Sequence, residues 1–280
     1  MNKDQLRNRI HALREETGAS SNTILTLYFL ESILRRISVS EKKAVFVIKG
    51  GFLLSSSLGI RLRTTKDLDL QVQSMDLEPT TLLAALGNIL KLELDDRVTY
   101  EIIGCEPIRE LEPYGGLRCK IVCSLENMKQ SVAIDIAAGD PITPGAENYV
   151  YQPLFDKESL SFLSVNIETI LAEKFHTIIS RGLANSRSKD FYDIYAIVRL
   201  KENQIDGQIL KAAFENTFAY RKTPIHFDQF SQLLITIREN PLMNTRWNAF
   251  SRNNPFVSGT PFADTIQACS YLLELVKNAS

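Results

Sequence analysis

The sequence predicts an α+β protein in which a mixed β-sheet domain is followed by a helical domain. Three patterns indicate this class: apolar residues at helical spacing in the first forty positions, several β-rich runs between residues 42 and 138, and renewed helical periodicity after about residue 160. A chain of 280 residues is long for one compact domain and suits two that pack together. We therefore predict one domain over residues 1–160 and a second over residues 161–280.

The individual elements follow from local patterns. Two helices are predicted in the first forty residues, then a strand at 42–48 that ends at two glycines and a short helix at 52–59. Strict alternation in "DLDLQVQ" predicts a strand at 67–73, and Pro79 suits the first turn of a helix at 77–90. Further strands are predicted at 98–104, 117–125 and 131–138, and helices at 166–182 and 188–200. The segment 139–155, with three prolines and two glycines, predicts a loop.

The composition excludes several classes of protein. The net charge of −1 gives no overall basicity, so any nucleic acid must be met by a local patch. The four cysteines lack the spacing of a zinc site and are predicted to be buried thiols in a reducing compartment. The N-terminus lacks the apolar core of a signal peptide, and no apolar run is long enough to cross a bilayer. We therefore expect a cytoplasmic protein with no membrane partner.

Two aspartates interrupt a strand that otherwise looks buried. Because alternate residues of a strand share a face, Asp67 and Asp69 point together, away from the core. Carboxylates brought to about 4 Å repel by roughly 4 kcal/mol, which a divalent cation would relieve. Asp135 lies in the same way on another predicted strand and would supply a third carboxylate. An isolated Asp-x-Asp pair is most often a solvated strand face, and that alternative stays open.

Gly50 and Gly51 add a second feature upstream of these acids. They stand at a strand-to-helix turn, where a backbone without Cβ atoms can approach a triphosphate and a helix N-terminus can receive its phosphates. In the second half, Lys174 lies beside the buried stripe of a helix and could be an ordinary snorkelling lysine. Lys189 and Asp193 are four residues apart and could pair on one helix face. Asp190 suits the first turn of the next helix, where an acid complements the helix dipole.

Together these motifs resemble a known family. "VIKGG", "RTTKDLDL", "AEKFHTIISRG" and "RSKDFYDIYAI" stand in the order found in the AbiEii/AbiGii family of nucleotidyltransferase-like toxins. The resemblance implies a nucleotidyltransferase fold and the toxin half of a bacterial toxin–antitoxin pair linked to abortive phage infection. It further implies a nucleoside triphosphate (GTP or CTP), transfer of a nucleotide to the 3′ end of tRNA or another RNA, and a cognate antitoxin encoded by the adjacent gene.

The resemblance also implies roles for particular residues. It makes Asp67 and Asp69 the Mg²⁺-binding and catalytic pair, with Asp135 as a third metal ligand. The resemblance places Lys174 and Asp190 in the cleft as catalytic residues of the helical domain. It assigns nucleotide binding to Lys49, Gly50, Gly51, Arg187 and Lys189. Whether Asp190 orients Lys174, orients the acceptor or acts as the base stays open.

The acceptor is the least determined part of this prediction. Several basic residues could meet an RNA backbone, although each is more simply a solvated side chain. They are Arg61, Arg63, Lys66, Arg181, Arg187, Arg221, Lys222, Arg246 and Arg252. Two other functions stay open: a protein nucleotidylyltransferase that modifies a side-chain hydroxyl, and a GTP-binding toxin that acts without nucleotide transfer. A structural partner without an active site is a third alternative.

Overall fold

The computed structural model describes residues 1–61, 63–73, 78–108 and 115–279. The chain divides into two units, which we call the sheet unit and the helical unit. The sheet unit comprises Met1–Asp140 and Glu147–Ser164, and the helical unit comprises Pro141–Ala146 and Val165–Ser280. The predicted α+β class, with a mixed sheet followed by a run of helices, is confirmed.

The sheet unit interleaves helices with strands. In chain order its elements are α1 (Lys3–Thr17), α2 (Ser21–Val39), β1 (Phe46–Lys49), α3 (Gly50–Leu58), β2 (Asp67–Val72), α4 (Pro79–Leu90), β3 (Val98–Ile108), β4 (Gly116–Leu125), β5 (Met128–Ala138), β6 (Glu147–Tyr151) and β7 (Leu160–Ser164). The side chains of Asn2 and Ser20 cap α1 and α2 by accepting from backbone N–H groups of the first turn. Leu77, in the predicted helix 77–90, lies outside the described residues.

Among the described residues, seven strands form one mixed sheet in the order β3-β4-β5-β2-β1-β7-β6. β2 runs antiparallel to β1 and parallel to β5, and β1 runs parallel to β7. The pairs β3-β4, β4-β5 and β6-β7 are antiparallel. The strand that carries the two aspartates is therefore central in the sheet, with a hydrogen-bonded neighbour on each side.

One face of the sheet is apolar because alternate residues of the central strands are hydrophobic. Leu68 is in register with Ile134, and Leu70 is in register with both Ile48 and Ile136. All five side chains are buried, which contributes about 1.5–3 kcal/mol for each large aliphatic group. α2 packs against β5 and β7. Because side chains alternate between faces, the residues between these apolar positions lie on the opposite face, and they include the three aspartates.

The helical unit forms its own aromatic core. Its helices are α5 (Ile167–Arg181), α6 (Ser188–Lys201), α7 (Gly207–Tyr220), α8 (Phe227–Glu239), α9 (Pro241–Asn253) and α10 (Phe262–Asn278). Phe175 of α5 packs against Phe214 of α7 with ring centroids 5.2 Å apart, and Phe191 of α6 packs against Phe262 of α10 at 5.4 Å. α5 also packs against α6, so the facing sides of these two helices are adjacent.

Two sequence predictions about the end of the sheet unit are wrong. The segment 139–155, expected to be a loop, contains β6, and the chain forms β7 after residue 160 instead of turning directly helical. Both strands are short, and each is stabilised by pairing within the sheet: β6 with β7, and β7 with β1. Pairing with a neighbouring strand, which is near in sequence for β6 and distant for β7, outweighed the local loop signals in this region.

The cysteine prediction is wrong in part. Cys105 and Cys119 face each other across the β3-β4 pair and are joined by a disulfide. Directly opposed residues of an antiparallel pair have closely spaced Cβ atoms, which allows such a bond. Cys123 and Cys269 are free and buried, as expected. Among the described helices, none has the length and apolarity needed to cross a membrane.

Candidate active site

A row of charged residues crosses the polar face of the sheet. Lys49 of β1 is in register with Asp69 of β2, Asp69 with Asp135 of β5, and Asp135 with Arg118 of β4. Directly opposed residues on neighbouring strands point to the same face and lie close together. The sequence prediction that Asp135 lies beside the Asp67–Asp69 pair on a neighbouring strand therefore agrees with the register.

Asp69 contacts the turn between β1 and α3. Its Oδ2 accepts a hydrogen bond of 3.0 Å from the backbone N–H of Gly51, at the N-terminus of α3. Gly50 has a φ of +65°, and a Cβ at that position would overlap the Asp69 carboxylate and lie 2.8 Å from the Asp69 Cβ. A glycine is therefore required at position 50 for two reasons, the left-handed backbone and the closeness of Asp69.

Thr65 lies next to both Gly51 and Asp67. Its hydroxyl donates to Asp67 Oδ1 at 2.8 Å, and a Cβ on Gly51 would come within 2.8 Å of the same hydroxyl oxygen. Thr65 is buried, whereas Asp67 and Asp69 are half-buried. The turn and the strand thus orient both carboxylates while leaving part of each accessible.

Asp135 is held differently from the other two acids. Arg118 donates from Nε to Asp135 Oδ1 at 2.7 Å and from Nη2 to Asp135 Oδ2 at 2.6 Å. This two-bond geometry is the strong form of an arginine–carboxylate pair. Hydrogen bonding to Asp135 and its negative charge, together with the charges of Asp67 and Asp69, raise the pKa of Arg118. No sequence motif marks Arg118 as a site residue.

Lys49, predicted to bind the nucleotide, lies at the other end of the row. Its Nζ is 3.1 Å from Asp140 Oδ2 and 3.3 Å from Gln71 Oε1, and its side chain is buried. Gln71 in turn donates to the backbone carbonyl of Asp140 at 2.6 Å. These contacts tie the end of β5 to β1 and β2, which gives Lys49 a structural role. Its predicted contact with a nucleotide stays a prediction.

A second polar cluster lies in the helical unit, on the facing sides of α5 and α6. Lys174 Nζ is 3.1 Å from Asp190 Oδ1 and 2.6 Å from Asp193 Oδ2, and the lysine side chain is 12% exposed. Arg187 Nε donates to the other oxygen of Asp190 at 2.9 Å. Asp190 and Asp193 are buried, with exposures of 1% and 0%. A snorkelling surface lysine is therefore excluded for Lys174.

The family model for the nucleotidyl transferase AbiEii toxin of type IV toxin–antitoxin systems matches residues 32–268. The chain belongs to this family. The match spans all the motifs that indicated the resemblance in the sequence, and it includes both polar clusters. No curated protein matches the chain.

Two solved structures support the AbiEii assignment at the level of the fold. The crystal structure of JHP933 from Helicobacter pylori is similar with a TM-score of 0.54 and 12% identity, over 93% of this chain and 94% of that one. A candidate nucleotidyltransferase from H. pylori is similar with a TM-score of 0.50 and 13% identity, over 93% and 97%. At such low identity the likeness shows a shared fold alone.

The predicted sites of this AbiEii-family chain fall into two groups. The sheet unit brings together Gly50, Gly51, Asp67, Asp69 and Asp135, and the helical unit brings together Lys174, Asp190 and Arg187. Asp193, which by helical spacing could have paired with Lys189, contacts Lys174. Lys189 is half-buried in the first turn of α6. That the two groups serve one cleft stays a prediction from the sequence.

The donor set on the sheet suits a magnesium ion that two carboxylates and phosphate oxygens share. Mg²⁺ in phosphoryl-transfer sites is typically held by one or two carboxylates together with substrate oxygens and water. Asp67 and Asp69, on one face of β2, fit this requirement. Among the described residues, no group of three or more acidic, cysteine or histidine side chains is arranged to hold a metal. Asp135 is paired with Arg118, and its role as a third metal ligand stays a prediction.

The candidate RNA-binding residues differ in exposure. Arg63, one of the predicted contacts, is buried, with its guanidinium beside Gly51, so its prediction as a surface contact is wrong. Arg246 is half-buried and donates to the backbone carbonyls of Leu183 and Asn185, which fixes the turn after α5. The residues that remain exposed are Arg61, Lys66, Arg181, Arg187, Lys222 and Arg252.

Proposed function

We propose that this chain is a Mg²⁺-dependent nucleotidyltransferase that moves a nucleoside monophosphate from a nucleoside triphosphate to the 3′ end of an RNA, with tRNA as the first candidate. The observation that carries the proposal is the contact between Asp69 and the Gly50–Gly51 turn. It puts a half-buried carboxylate against the N-terminus of a nine-residue helix, where phosphate and metal chemistry can meet. Membership of the AbiEii family supports the reaction class.

Asp67 and Asp69 hold the metal in this proposal. When bound, Mg²⁺ polarises the α-phosphate and neutralises charge on the leaving group. The chain's own contribution is orientation. The N–H of Gly51 and the hydroxyl of Thr65 each fix one carboxylate oxygen, so the turn and the strand orient both aspartates. Fixed donors of this kind cost no rearrangement during the reaction.

Lys174 is the cation of the helical unit to which the family resemblance gives a catalytic role. Its ammonium is held between two buried carboxylates, which fixes its position. Asp190 accepts from Lys174 with one oxygen and from Arg187 with the other. Because both oxygens are already bonded to cations, we assign Asp190 to the positioning of Lys174 and Arg187 and do not assign it as the base.

The transfer is an in-line displacement at the α-phosphorus. The 3′-hydroxyl oxygen of the acceptor forms a bond to that phosphorus as the bond to the bridging α–β oxygen breaks. Pyrophosphate leaves with the electron pair of the broken bond, and the hydroxyl proton passes to a base or to water. The RNA is longer by one nucleotide after each turnover.

The biological role follows from the family. In a type IV toxin–antitoxin system the chain is the toxin, and a cognate antitoxin counteracts it. We propose that the antitoxin is encoded by the adjacent gene and that the toxin acts in the cytoplasm on tRNA, with GTP or CTP as the nucleotide. Blocking the acceptor end of tRNA stops translation, which suits a role in abortive phage infection.

The test is to incubate purified protein with each α-labelled nucleoside triphosphate, Mg²⁺, total tRNA and, separately, total cell protein. We expect label on tRNA and none in the Asp69→Asn variant. The matched control is Asp4→Asn, which removes a carboxylate that is 83% exposed on α1. Label on protein alone would show that the acceptor is a protein and not RNA, which would contradict the proposed acceptor. Triphosphate binding without transfer to either fraction would contradict the proposed reaction.

A further inference from the structure

Arg118 is placed to act on the substrate of the proposed reaction. It stands in the charged row on the polar face, directly opposite Asp135, which is itself in register with Asp69. The strands β4 and β5 pair at ten positions in total, and these lie on both sides of Arg118. The backbone at Arg118 is therefore well fixed. The side chain is 42% exposed, against 17% for Asp135. The guanidinium is therefore the outer member of the pair.

The fork with Asp135 engages only two of the three guanidinium nitrogens. Nε and Nη2 donate to the carboxylate, and Nη1 has no hydrogen-bond acceptor among the residues that the structure describes. Nη1 carries two N–H groups, and the planar fork fixes the direction in which they point. The carboxylate fixes the orientation of the guanidinium and leaves Nη1 available as a donor. Such an arginine is preorganised to bind a phosphate oxygen.

We propose that Arg118 binds a phosphate oxygen of the nucleoside triphosphate through Nη1, and that Asp135 positions Arg118 and is not a metal ligand. This inference rests on the proposed nucleotidyltransferase function and corrects one part of the prediction from the family resemblance, the assignment of Asp135 to the metal. The centre then uses two carboxylates, Asp67 and Asp69, for one divalent cation. A fixed guanidinium takes the place that a third carboxylate would occupy in a larger metal cluster.

The chemistry of Asp135 favours this assignment over metal binding. Both of its oxygens already accept short, charge-assisted hydrogen bonds from one guanidinium. To bind a cation as well, Asp135 would have to bring a second positive charge next to Arg118.

The first test measures metal binding without any turnover. Mn²⁺ is titrated into the full chain, and the free ion is followed by electron paramagnetic resonance, in the presence of a non-hydrolysable triphosphate analogue. We expect one bound Mn²⁺ per chain in the wild type and in Asp135→Asn, and loss of that ion in Asp69→Asn. A fall in Mn²⁺ affinity in Asp135→Asn as large as that in Asp69→Asn would overturn the proposal.

The second test measures binding of the same analogue by titration calorimetry. Removing a charge-assisted hydrogen bond should weaken binding by about 10- to 100-fold in Arg118→Gln. Arg118→Lys should recover little of this loss, because a lysine cannot form the fork with Asp135. The matched control is Arg7→Gln, which removes an arginine that is 60% exposed and paired only at the surface of α1; its affinity should stay within about twofold of wild type.

The double variant Arg118→Gln/Asp135→Asn decides whether the two residues act as one unit. If Asp135 works only through Arg118, the double variant binds the analogue no more weakly than Arg118→Gln does. Additive losses would show that Asp135 contacts the ligand or the metal independently, and so would overturn the inference. The double variant also leaves neither charge without a partner, so it keeps the comparison valid if a single variant folds poorly.

These outcomes are separable from those of the proposed function. If Asp69→Asn still transfers nucleotides at the wild-type rate, the proposed active site is wrong whatever Arg118 does. If Asp69→Asn is inactive and loses the metal, but Arg118→Gln binds the analogue as well as wild type does, the function stands and only the role of Arg118 is wrong.

Discussion

The two polar clusters of this chain hold their carboxylates in opposite ways. On the sheet, Asp67, Asp69 and Asp135 are all half-buried, and each is held by a different donor: a hydroxyl, a backbone N–H and a guanidinium. In the helical unit, Asp190 and Asp193 are fully buried and converge on a single ammonium, that of Lys174.

The difference distinguishes carboxylates that can bind a ligand from carboxylates that fix the position of a neighbouring side chain. Buried carboxylates that share one lysine are satisfied within the protein, and their effect is to fix where that lysine lies. The sheet carboxylates are oriented by the backbone and stay partly accessible, as metal ligands must. We therefore propose ligand contact for Asp67 and Asp69, and a positioning role for Asp190 and Asp193.

The largest effect on stability is expected in the helical cluster. Lys174→Ala leaves two buried carboxylates without their shared cation, which should lower the free energy of unfolding by about 3–5 kcal/mol. Urea unfolding followed by the fluorescence of Trp247 measures this, because Trp247 is the only tryptophan and is buried in the helical unit. Lys201→Ala on α6 is the control and should cost less than about 1 kcal/mol. A similarly small loss of unfolding free energy in Lys174→Ala would contradict the positioning role of Asp190 and Asp193.

The next effect tests the turn that orients Asp69. Gly50→Ala combines a left-handed backbone with an overlap on the Asp69 side chain, and should cost about 2–4 kcal/mol. Gly18 is the matched control, since its φ is +72° but nothing lies within 4 Å of an added Cβ. Gly18→Ala should therefore cost only about 1 kcal/mol. Equal losses in thermal unfolding would show that the closeness of Asp69 to Gly50 is unimportant.

The sheet acids should affect activity more than stability. Asp69→Asn should reduce nucleotide transfer by at least roughly 100-fold, equivalent to about 2.7 kcal/mol of transition-state free energy. Its free energy of unfolding should stay within about 1 kcal/mol of wild type, because a half-buried asparagine can still accept from Gly51. A variant that loses stability and activity in parallel would indicate that Asp69 serves the fold and not the chemistry.

The smallest effect concerns a buried carboxylate that has no cation as hydrogen-bond partner among the described residues. Glu31 accepts from the Tyr151 hydroxyl and from the backbone N–H groups of Leu154 and Phe155, and burial raises its pKa from 4.5 to about 7. The folded chain thus binds this proton more tightly than the unfolded chain does. The contribution is fully present below about pH 4.5 and is lost as the pH rises through about 7.

Glu31→Gln should remove this pH dependence. Over that interval the wild type is expected to lose about 1–3 kcal/mol of unfolding free energy that the variant keeps. Chemical denaturation at a series of pH values measures the difference between the two curves. Parallel curves would mean that Glu31 ionises as easily in the folded chain as in the unfolded one.

The sequence predicted much of the fold because most elements carry their own local signals. Alternation defined β2, the asparagine cap and Gly182 bounded α5, and the two glycines marked the start of α3. The strands β6 and β7 were missed because β7 is a five-residue run interrupted by serines and β6 lies in a segment rich in proline and glycine. β7 is stabilised by pairing with β1, which is distant in sequence, and β6 by pairing with β7; local pattern encodes neither contact.

The candidate site was predictable in its acids and not in their partners. Asp67 and Asp69 stand out in a strand, and Asp135 follows by the same alternation. Arg118 is one of several charged residues in its strand, and only the strand register shows that it lies opposite Asp135. Likewise, helical spacing suggested Lys189 for Asp193, whereas packing of α5 on α6 gave it Lys174. Contacts between elements distant in sequence decide these pairs.

The most direct measurement is the location of a bound paramagnetic ion by nuclear magnetic resonance. Mn²⁺ broadens backbone amide signals in its immediate surroundings, so a substoichiometric amount with a triphosphate analogue reports where the metal binds. We predict selective broadening at Gly51, Asp67 and Asp69, abolished by Asp69→Asn. Sharp signals at these three residues together with broadening elsewhere in the chain would contradict a metal–triphosphate site on the sheet.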